Sequence, residues 1–369
     1  MGSTGYANGA GVVVDDDDAT CLHAQTLVYA YNVTMAVHAA VKLGLIDALG
    51  AADGRALTAD ELAAKVVKAE DKAESAALIG RILRFLASFD VVRCSAEKGP
   101  DGAVLWRYSP APACRWLTMN NGEGSLGPMA VFDVDEDNFS SWHHIADAVA
   151  GGGKQTPFQI AHGGTPAYDY FGKNPRLSTL FDQAMAHQSL LVIRKLLEHP
   201  KVFDGVGVIV DVGGGTGATL ALIRGRYKHI KGINMDLAHV ISEAPSLEGV
   251  EHVAGDMFES VPSGDAVLMK WMLHMQSDEE CMMILKNCHK ALPANGKVIV
   301  IQSVLPETPE STPASRDSFT MDMIILVNFK GGKERTEQEY AKLGRDAGFT
   351  GGFQSTYIFC NIYALEFTK

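Results

Sequence analysis

The sequence predicts an α/β protein: a Rossmann-like, mostly parallel sheet that ends in an antiparallel hairpin, preceded by a smaller helical unit. Three observations carry this. The apolar run Val208-Ile209-Val210-Asp211-Val212 breaks into Gly213-Gly214-Gly215-Thr216-Gly217, a turn that only glycine-rich backbone can make while letting a ligand approach closely. Apolar segments and helical patterns then alternate, as in a parallel sheet covered by helices. Finally, Thr356–Phe359 and Tyr363–Phe367 are joined only by Cys360-Asn361-Ile362, too short for a parallel crossover, so they form an antiparallel pair.

Taken in order, residues 1–20 are Gly-rich and then acidic (Asp15 to Asp18), which reads as a disordered tail without a signal region. Residues 21–120 are helical in pattern. Leu22 to Leu49 carries apolar residues at helical spacing, Thr58-Ala59-Asp60-Glu61-Leu62 reads as a capped helix start, and Ala76 to Phe89 is amphipathic. Val91–Cys94 and Trp106–Tyr108 flank Gly99-Pro100-Asp101-Gly102 and read as a hairpin. Helices followed by a hairpin suggest a winged-helix module. Residues 121–369 form the second domain, polar and Gly-rich to about Gln155, with helices near Met129 and Trp142. Its strands are expected at Val206–Val210, Gly232–Met235, Glu251–Ala254, Ala266–Trp271 and Lys297–Gln302, followed by the terminal pair.

A length of 369 residues exceeds one ordinary core and favours two domains. The net charge of −12 argues against a nucleic-acid or anionic-membrane surface, so the winged helix reads as a dimerising or structural element. None of the six cysteines has C-x-x-C spacing, which excludes the common zinc and redox motifs; they read as buried free thiols in a reducing, cytoplasmic compartment, with no metal site expected. No apolar run reaches the length of a membrane span.

The glycine loop alone leaves its ligand open. Gly213, Gly215 and Ala218 fit G-x-G-x-x-A, and Asp236 lies where a ribose-binding acid belongs, as in dinucleotide enzymes. Asp211 before the glycines and Asp256 beside Met257 suit instead an adenosine with a short cationic tail, namely S-adenosylmethionine, and the terminal antiparallel hairpin is the methyltransferase variant of the sheet.

With the motifs Asp211–Gly217, Gly255-Asp256-Met257-Phe258, Lys270-Trp271-Met272-Leu273-His274, Ala291–Lys297 and Gly331-Gly332-Lys333-Glu334-Arg335-Thr336, the chain resembles the plant caffeic-acid-type small-molecule methyltransferases along nearly its whole length. The resemblance implies a class I methyltransferase sheet, S-adenosylmethionine as cofactor with S-adenosylhomocysteine as product, and a homodimer built on the winged-helix domain. It further implies that Gly213 lies against the cofactor, Asp236 takes the ribose hydroxyls, Asp256, Met257 and Lys270 surround the adenine, and Ser189 and Asp211 lie near the methionine end. His274 is implied as the base that takes a hydroxyl proton, with Glu334 and the residue at Gln302 bracketing it; Phe132, Asp133, Met185 and Phe329 are implied around the acceptor.

The departures point away from phenols. Oxygen-methylating members carry Asp where this chain has Met275 and Glu where it has Gln302, so an imidazolium at His274 is less stabilised here. Phe329 stands at a polar Asn position, and Asp133 at another, although Asp133 sits in an acidic run that also reads as a solvated loop. Together with Trp142–Ala146, Gly232–Leu237, Phe329-Lys330-Gly331 and Ala347–Gly352, these features make the chain similar to the grass members that methylate nitrogen on indolic or aromatic amines. Methylation of a phenolic hydroxyl is the alternative, and a catalytically weak cofactor-binding relative a minor one.

Overall fold

A computed structural model describes residues 15–68, 70, 72–99, 102–119 and 122–369. The chain divides into two compact units, Met1–Val134 and Asp135–Lys369.

In the first unit, helices Tyr31–Lys42, Leu45–Gly50, Ala59–Val66 and Lys72–Ala87 enclose a core of Leu45, Ile46, Leu49, Leu62, Leu83 and Leu86. Thr58 caps its helix reciprocally with Glu61: each side chain bonds the other residue's backbone N–H. The strands β1 (Val92–Lys98) and β2 (Val104–Pro110) pair antiparallel, as the hairpin reading requires. The middle of its expected turn, Pro100 and Asp101, lies outside the described residues. Buried Tyr108 ties the hairpin to the helices by donating to the Gly80 carbonyl at 3.1 Å.

Two sequence boundaries need correction. Residues 1–14 of the expected tail lie outside the described residues, but Asp16–Val28 is a helix. Asp15 caps it by accepting from the Asp18 N–H at 2.8 Å, and Asp16, Asp17 and Asp18 in its first turn complement the helix dipole. The first unit also extends to Val134 rather than to residue 120, because helix Gly127–Phe132 belongs to it: Ala130 and Val131 pack on its core, and the Ala130 carbonyl meets His38 Nδ1 at 3.1 Å. The cysteines are all free, but Cys21 and Cys360 are exposed and Cys94 is half-buried, so only Cys114, Cys281 and Cys288 are buried thiols.

The second unit holds the eight-stranded sheet, formed by β3 (Val208–Val212), β4 (Lys231–Asp236), β5 (Val250–Ala254), β6 (Ala266–Lys270), β7 (Lys297–Leu305), β8 (Arg335–Thr336), β9 (Gly352–Phe359) and β10 (Ile362–Thr368). Their order is β5-β4-β3-β6-β7-β10-β9, with β8 pairing parallel to β7. β3 to β7 run parallel, and β10 is antiparallel to both β7 and β9. Cys360 and Asn361 both take positive φ (47° and 55°), giving the two-residue turn whose twist suits a hairpin. The short β8 has no apolar run and was not expected from sequence. β3 and β6 flank the point where the strand order reverses, the place where open α/β sheets bind ligands at their C-terminal ends. Among the described residues no helix is long and apolar enough to cross a membrane.

Thr58→Ala removes one half of a reciprocal cap and is expected to lower stability by about 1 kcal/mol. Urea denaturation of the intact chain checks this through a lower midpoint with an unchanged slope; an unchanged midpoint would mean that the cap contributes nothing.

Candidate active site

The C-terminal ends of β3, β4 and β6 carry the first group of residues. After β3 the chain turns through Gly213, Gly215 and Gly217, all with positive φ. At Gly213 (φ 72°) a Cβ would also lie 2.5 Å from Met272 Sδ, so the position tolerates only glycine. Asp236 ends β4; its two carboxylate oxygens accept from the Gly215 N–H at 2.8 Å and the Leu237 N–H at 2.7 Å. A carboxylate has about four acceptor positions, so two remain for hydroxyl donors.

Asp211 and Lys270, on the neighbouring strands β3 and β6, interact electrostatically. Asp211 is 2% exposed, and its Oδ2 has no hydrogen-bond partner. Burial, with the Asp236 charge adding to it, pushes the Asp211 carboxyl up to about 7 against the opposing pull of Lys270. Burial brings the Lys270 amine down to about 8, with Asp211 opposing. An orphaned buried carboxylate oxygen, a glycine turn and a half-used carboxylate fit an adenosine that carries a cationic tail. Met257 is half-buried against the sheet core, and Asp256 is exposed, accepting from the Phe258 N–H at 2.8 Å. Ser189 (buried) and Met185 (half-buried) lie four residues apart, hence on one face of helix Pro175–Leu196.

The second group centres on His274, in the 3₁₀ turn Leu273–Met275 that follows β6. His274 Nδ1 lies 2.6 Å from Glu334 Oε1, with both side chains buried. A carboxylate only accepts, so Nδ1 carries the proton and the Nε2 lone pair is left to act on a substrate proton. Trp271, with φ at 58°, lies tilted against the His274 ring at 5.2 Å and donates its Nε1–H to Gln188 at 2.9 Å. Gln302, buried on β7, donates to both Glu334 oxygens at 3.3 and 3.4 Å. The sequence reading had the residue at this position bracket the imidazole; in the structure Gln302 instead serves Glu334, which the Val304–Arg335 pairing of β7 and β8 brings alongside it.

Residues missed from sequence hold this dyad in place. The fully buried Arg335 donates to the Leu273 carbonyl at 3.0 Å and the Gln276 carbonyl at 2.9 Å, and to Asp278 Oδ1 at 2.7 Å, fixing the turn on both sides of His274. Asp322 accepts the Glu334 N–H at 2.9 Å. At Gly332 a Cβ would lie 2.7 Å from the His274 carbonyl, so glycine permits this close approach. Arg335 and Gly332 stand inside the quoted Gly331–Thr336 motif, the signal that could have found them. Phe329 begins the segment leading to Glu334 and stands 5.5 Å from the Tyr168 ring. Phe132 and Asp133 belong to the first unit. Phe132 is buried, and burial pushes the Asp133 carboxyl up to about 7, against the solvated-loop reading. In the neighbouring acidic run it is Asp135 and Asp137 that bind Arg176.

The Asp211–Lys270 pair gives a stability prediction. A carboxyl raised in the folded state contributes stability that is fully present below its unfolded value near 4 and lost as pH rises through about 7; a lysine lowered in the folded state loses its contribution as pH falls through about 8. At pH 7 both therefore oppose the cofactor-free fold. Asp211→Asn is expected to raise the apo melting temperature by a few degrees at pH 7 and hardly at all near pH 4, as read by scanning calorimetry. An equal gain at both pH values would contradict the assignment.

Comparison with known proteins identifies the family. Residues 142–350 match the sequence profile of the O-methyltransferase domain, and residues 25–120 that of the O-methyltransferase dimerisation domain. A 3-aminomethylindole N-methyltransferase of Hordeum vulgare subsp. vulgare is 56% identical over 357 residues, 96% of this chain and 94% of its own. A probable inactive methyltransferase of Oryza sativa subsp. japonica is 57% identical over 369 residues, 100% of this chain and 98% of its own. Among solved structures, human N-acetylserotonin methyltransferase in complex with SAM superposes with a TM-score of 0.78 at 22% identity, covering 100% of this chain and 99% of that one, a likeness of fold.

Proposed function

We propose that this chain, which belongs to the plant O-methyltransferase family and takes its methyl group from S-adenosylmethionine, methylates the nitrogen of a small aromatic or indolic amine. The observation that carries the reading is the single-carboxylate dyad: His274 has Glu334 as its carboxylate partner, while the amide of Gln302 supports Glu334 and a thioether, Met275, follows the histidine. A neutral amine brings its own lone pair and can lose its proton before or after transfer. A phenol must give up its proton as its oxygen attacks, and draws more on the base and on the charge that stabilises it. The 56% identity to an indolic amine methyltransferase supports the same reading.

When bound, the cofactor supplies a methyl group on a cationic sulfur; the acceptor lone pair forms the new bond, and the carbon–sulfur electron pair stays with sulfur. The chain's own contribution is positioning and proton handling. In this proposal Asp236 holds the ribose hydroxyls, Gly213 allows close backbone approach, and Asp256, Met257 and Lys270 line the adenine. Asp211 and Ser189 face the cationic tail, where a positive charge gives the unpartnered Asp211 oxygen its partner. Phe329 and Met185 shape the acceptor site, and His274 Nε2 receives the acceptor proton once the methyl group has been transferred. The dimerisation-domain match and the exposed Leu27, Val28, Tyr29 and Tyr31 support a homodimer.

O-methylation of a phenol is the second reading, favoured by the retained His274–Glu334 pair. Incubation with labelled S-adenosylmethionine and 3-aminomethylindole, tryptamine, anthranilate and caffeate in parallel decides between them. The proposal expects the amines to be labelled fastest; faster labelling of caffeate would overturn it, and no labelling of any acceptor with tight cofactor binding would mark a cofactor-binding relative without turnover.

Two variants test the assigned roles. Asp236→Ala is expected to weaken cofactor affinity by about tenfold or more, since charge-assisted hydrogen bonds to two hydroxyls are lost; calorimetry giving the wild-type affinity would remove Asp236 from the site. His274→Ala is expected to slow methylation of the preferred amine by less than the roughly 10²–10⁴ typical of a positioned base. A larger loss in single-turnover rates would mean that the amine depends on the dyad as a phenol would.

A further inference from the structure

We propose that Tyr168 is a specificity-determining residue: its hydroxyl, anchored on the Met275 thioether, accepts a hydrogen bond from an N–H of the acceptor amine. This rests on the amine reading given above. Tyr168 lies on helix Ala167–Lys173, and its hydroxyl donates to Met275 Sδ at 3.1 Å, on the residue directly after His274. A thioether can only accept, so this contact fixes the direction of the hydroxyl proton and leaves the oxygen lone pairs available. Burial, with the Asp236 charge adding to it, pushes the hydroxyl up to about 12, so it remains a neutral group that can both donate and accept. The residue as a whole is nonetheless 49% exposed.

The surroundings make this corner an aromatic seat. The Tyr168 ring stands 5.5 Å from Phe329, 5.9 Å from Phe181 and 6.1 Å from Phe171. Such rings favour a flat acceptor, and they favour a cationic nitrogen by their faces. The proton count of the acceptor then discriminates. A phenol has one O–H, and that proton must go to His274. A primary amine has at least two N–H groups, so one can point to Tyr168 and another to His274 while the lone pair stays aimed at the methyl group. The hydroxyl on Tyr168 therefore orients nitrogen in a way it cannot orient a phenol that is giving up its only proton.

The test is a binding measurement. Affinities of 3-aminomethylindole and of its quaternary N,N,N-trimethyl analogue, which has no N–H on that nitrogen at any pH, are measured by calorimetry with S-adenosylhomocysteine present. Tyr168→Phe keeps the ring and removes only the hydroxyl. It is expected to weaken 3-aminomethylindole by about five- to tenfold and to leave the quaternary analogue within about twofold of wild type. No loss for either ligand, or an equal loss for both, overturns the proposal. Unchanged S-adenosylhomocysteine affinity verifies that the variant is folded. Should it not be folded, Met275→Leu tests the same contact: a smaller loss confined to the ligand with N–H groups supports the proposal, and none overturns it. Failure of the amine reading is separate, because it shows as wild-type labelling of caffeate in preference to amines. If amines are labelled and Tyr168→Phe binds them normally, only the role of Tyr168 falls.

Discussion

The buried hydrogen bond between His274 Nδ1 and Glu334 is the constraint on which the acceptor side of the site depends. A 2.6 Å contact between two buried polar side chains is stable only if the remaining hydrogen-bonding positions are satisfied, because an unpaired buried carboxylate is costly. The surrounding chain meets that demand at Glu334, although the Gln302 Oε1 on the same amide has no hydrogen-bond partner. Gln302 supplies N–H donors to Glu334, Asp322 fixes the Glu334 backbone, and Arg335 ties the turn before and after His274. The pairing of β8 with β7 exists to the extent that it sets Glu334 beside Gln302; no apolar pattern accounts for so short a strand. A glutamate at position 302 would bring a second carboxylate about as close to Glu334 as the amide now is, and two buried carboxylates at that separation cannot both ionise readily. Gln302 is thus a working part of a dyad with one carboxylate, rather than a lost member of a triad.

The cofactor side is arranged on the opposite principle. Here the fold leaves a charge incompletely satisfied. Asp211 keeps an unpartnered buried oxygen, and both it and Lys270 are pushed toward their neutral forms by burial. This local instability is tolerable because β3 and β6 lie in a dense sheet core of Val210, Val267, Leu268 and Val300, which supplies stability elsewhere. It becomes useful when a cationic group arrives, since the binding energy then includes relief of a strained electrostatic arrangement.

Much of the catalytic unit was legible in the sequence because its signals are local. The strand before Gly213, the acids at the ends of β4 and β5, and the link at Cys360 and Asn361 each follow from a few adjacent residues. Asp211, Asp236 and Lys270 therefore fall on β3, β4 and β6 as those local signals require. What was not legible depends on tertiary pairing. Gln302 faces Glu334 only because β7 and β8 align, and Tyr168 meets Met275 across 107 positions of chain. Residues 121 to 134 were assigned to the second unit because their polarity resembles a linker; packing of Ala130 and Val131 on the first core decides otherwise. The helix at Asp16 was read as disorder because its acidic run looks solvated, which it is: that helix buries none of its residues and owes its start to its cap and dipole.

The central claim is that this dyad serves an acceptor that brings its own lone pair. Its most direct test is the pH dependence of kcat/KM for wild-type enzyme on 3-aminomethylindole with saturating cofactor. If the neutral amine is the reacting species and no enzyme base is required to generate it, log kcat/KM rises with a slope of about one up to the pKa of the free amine and is level above it. A slope of about two, or a second inflection shared with the profile on caffeate, would mean that an enzyme base must also lose a proton, and would contradict the account.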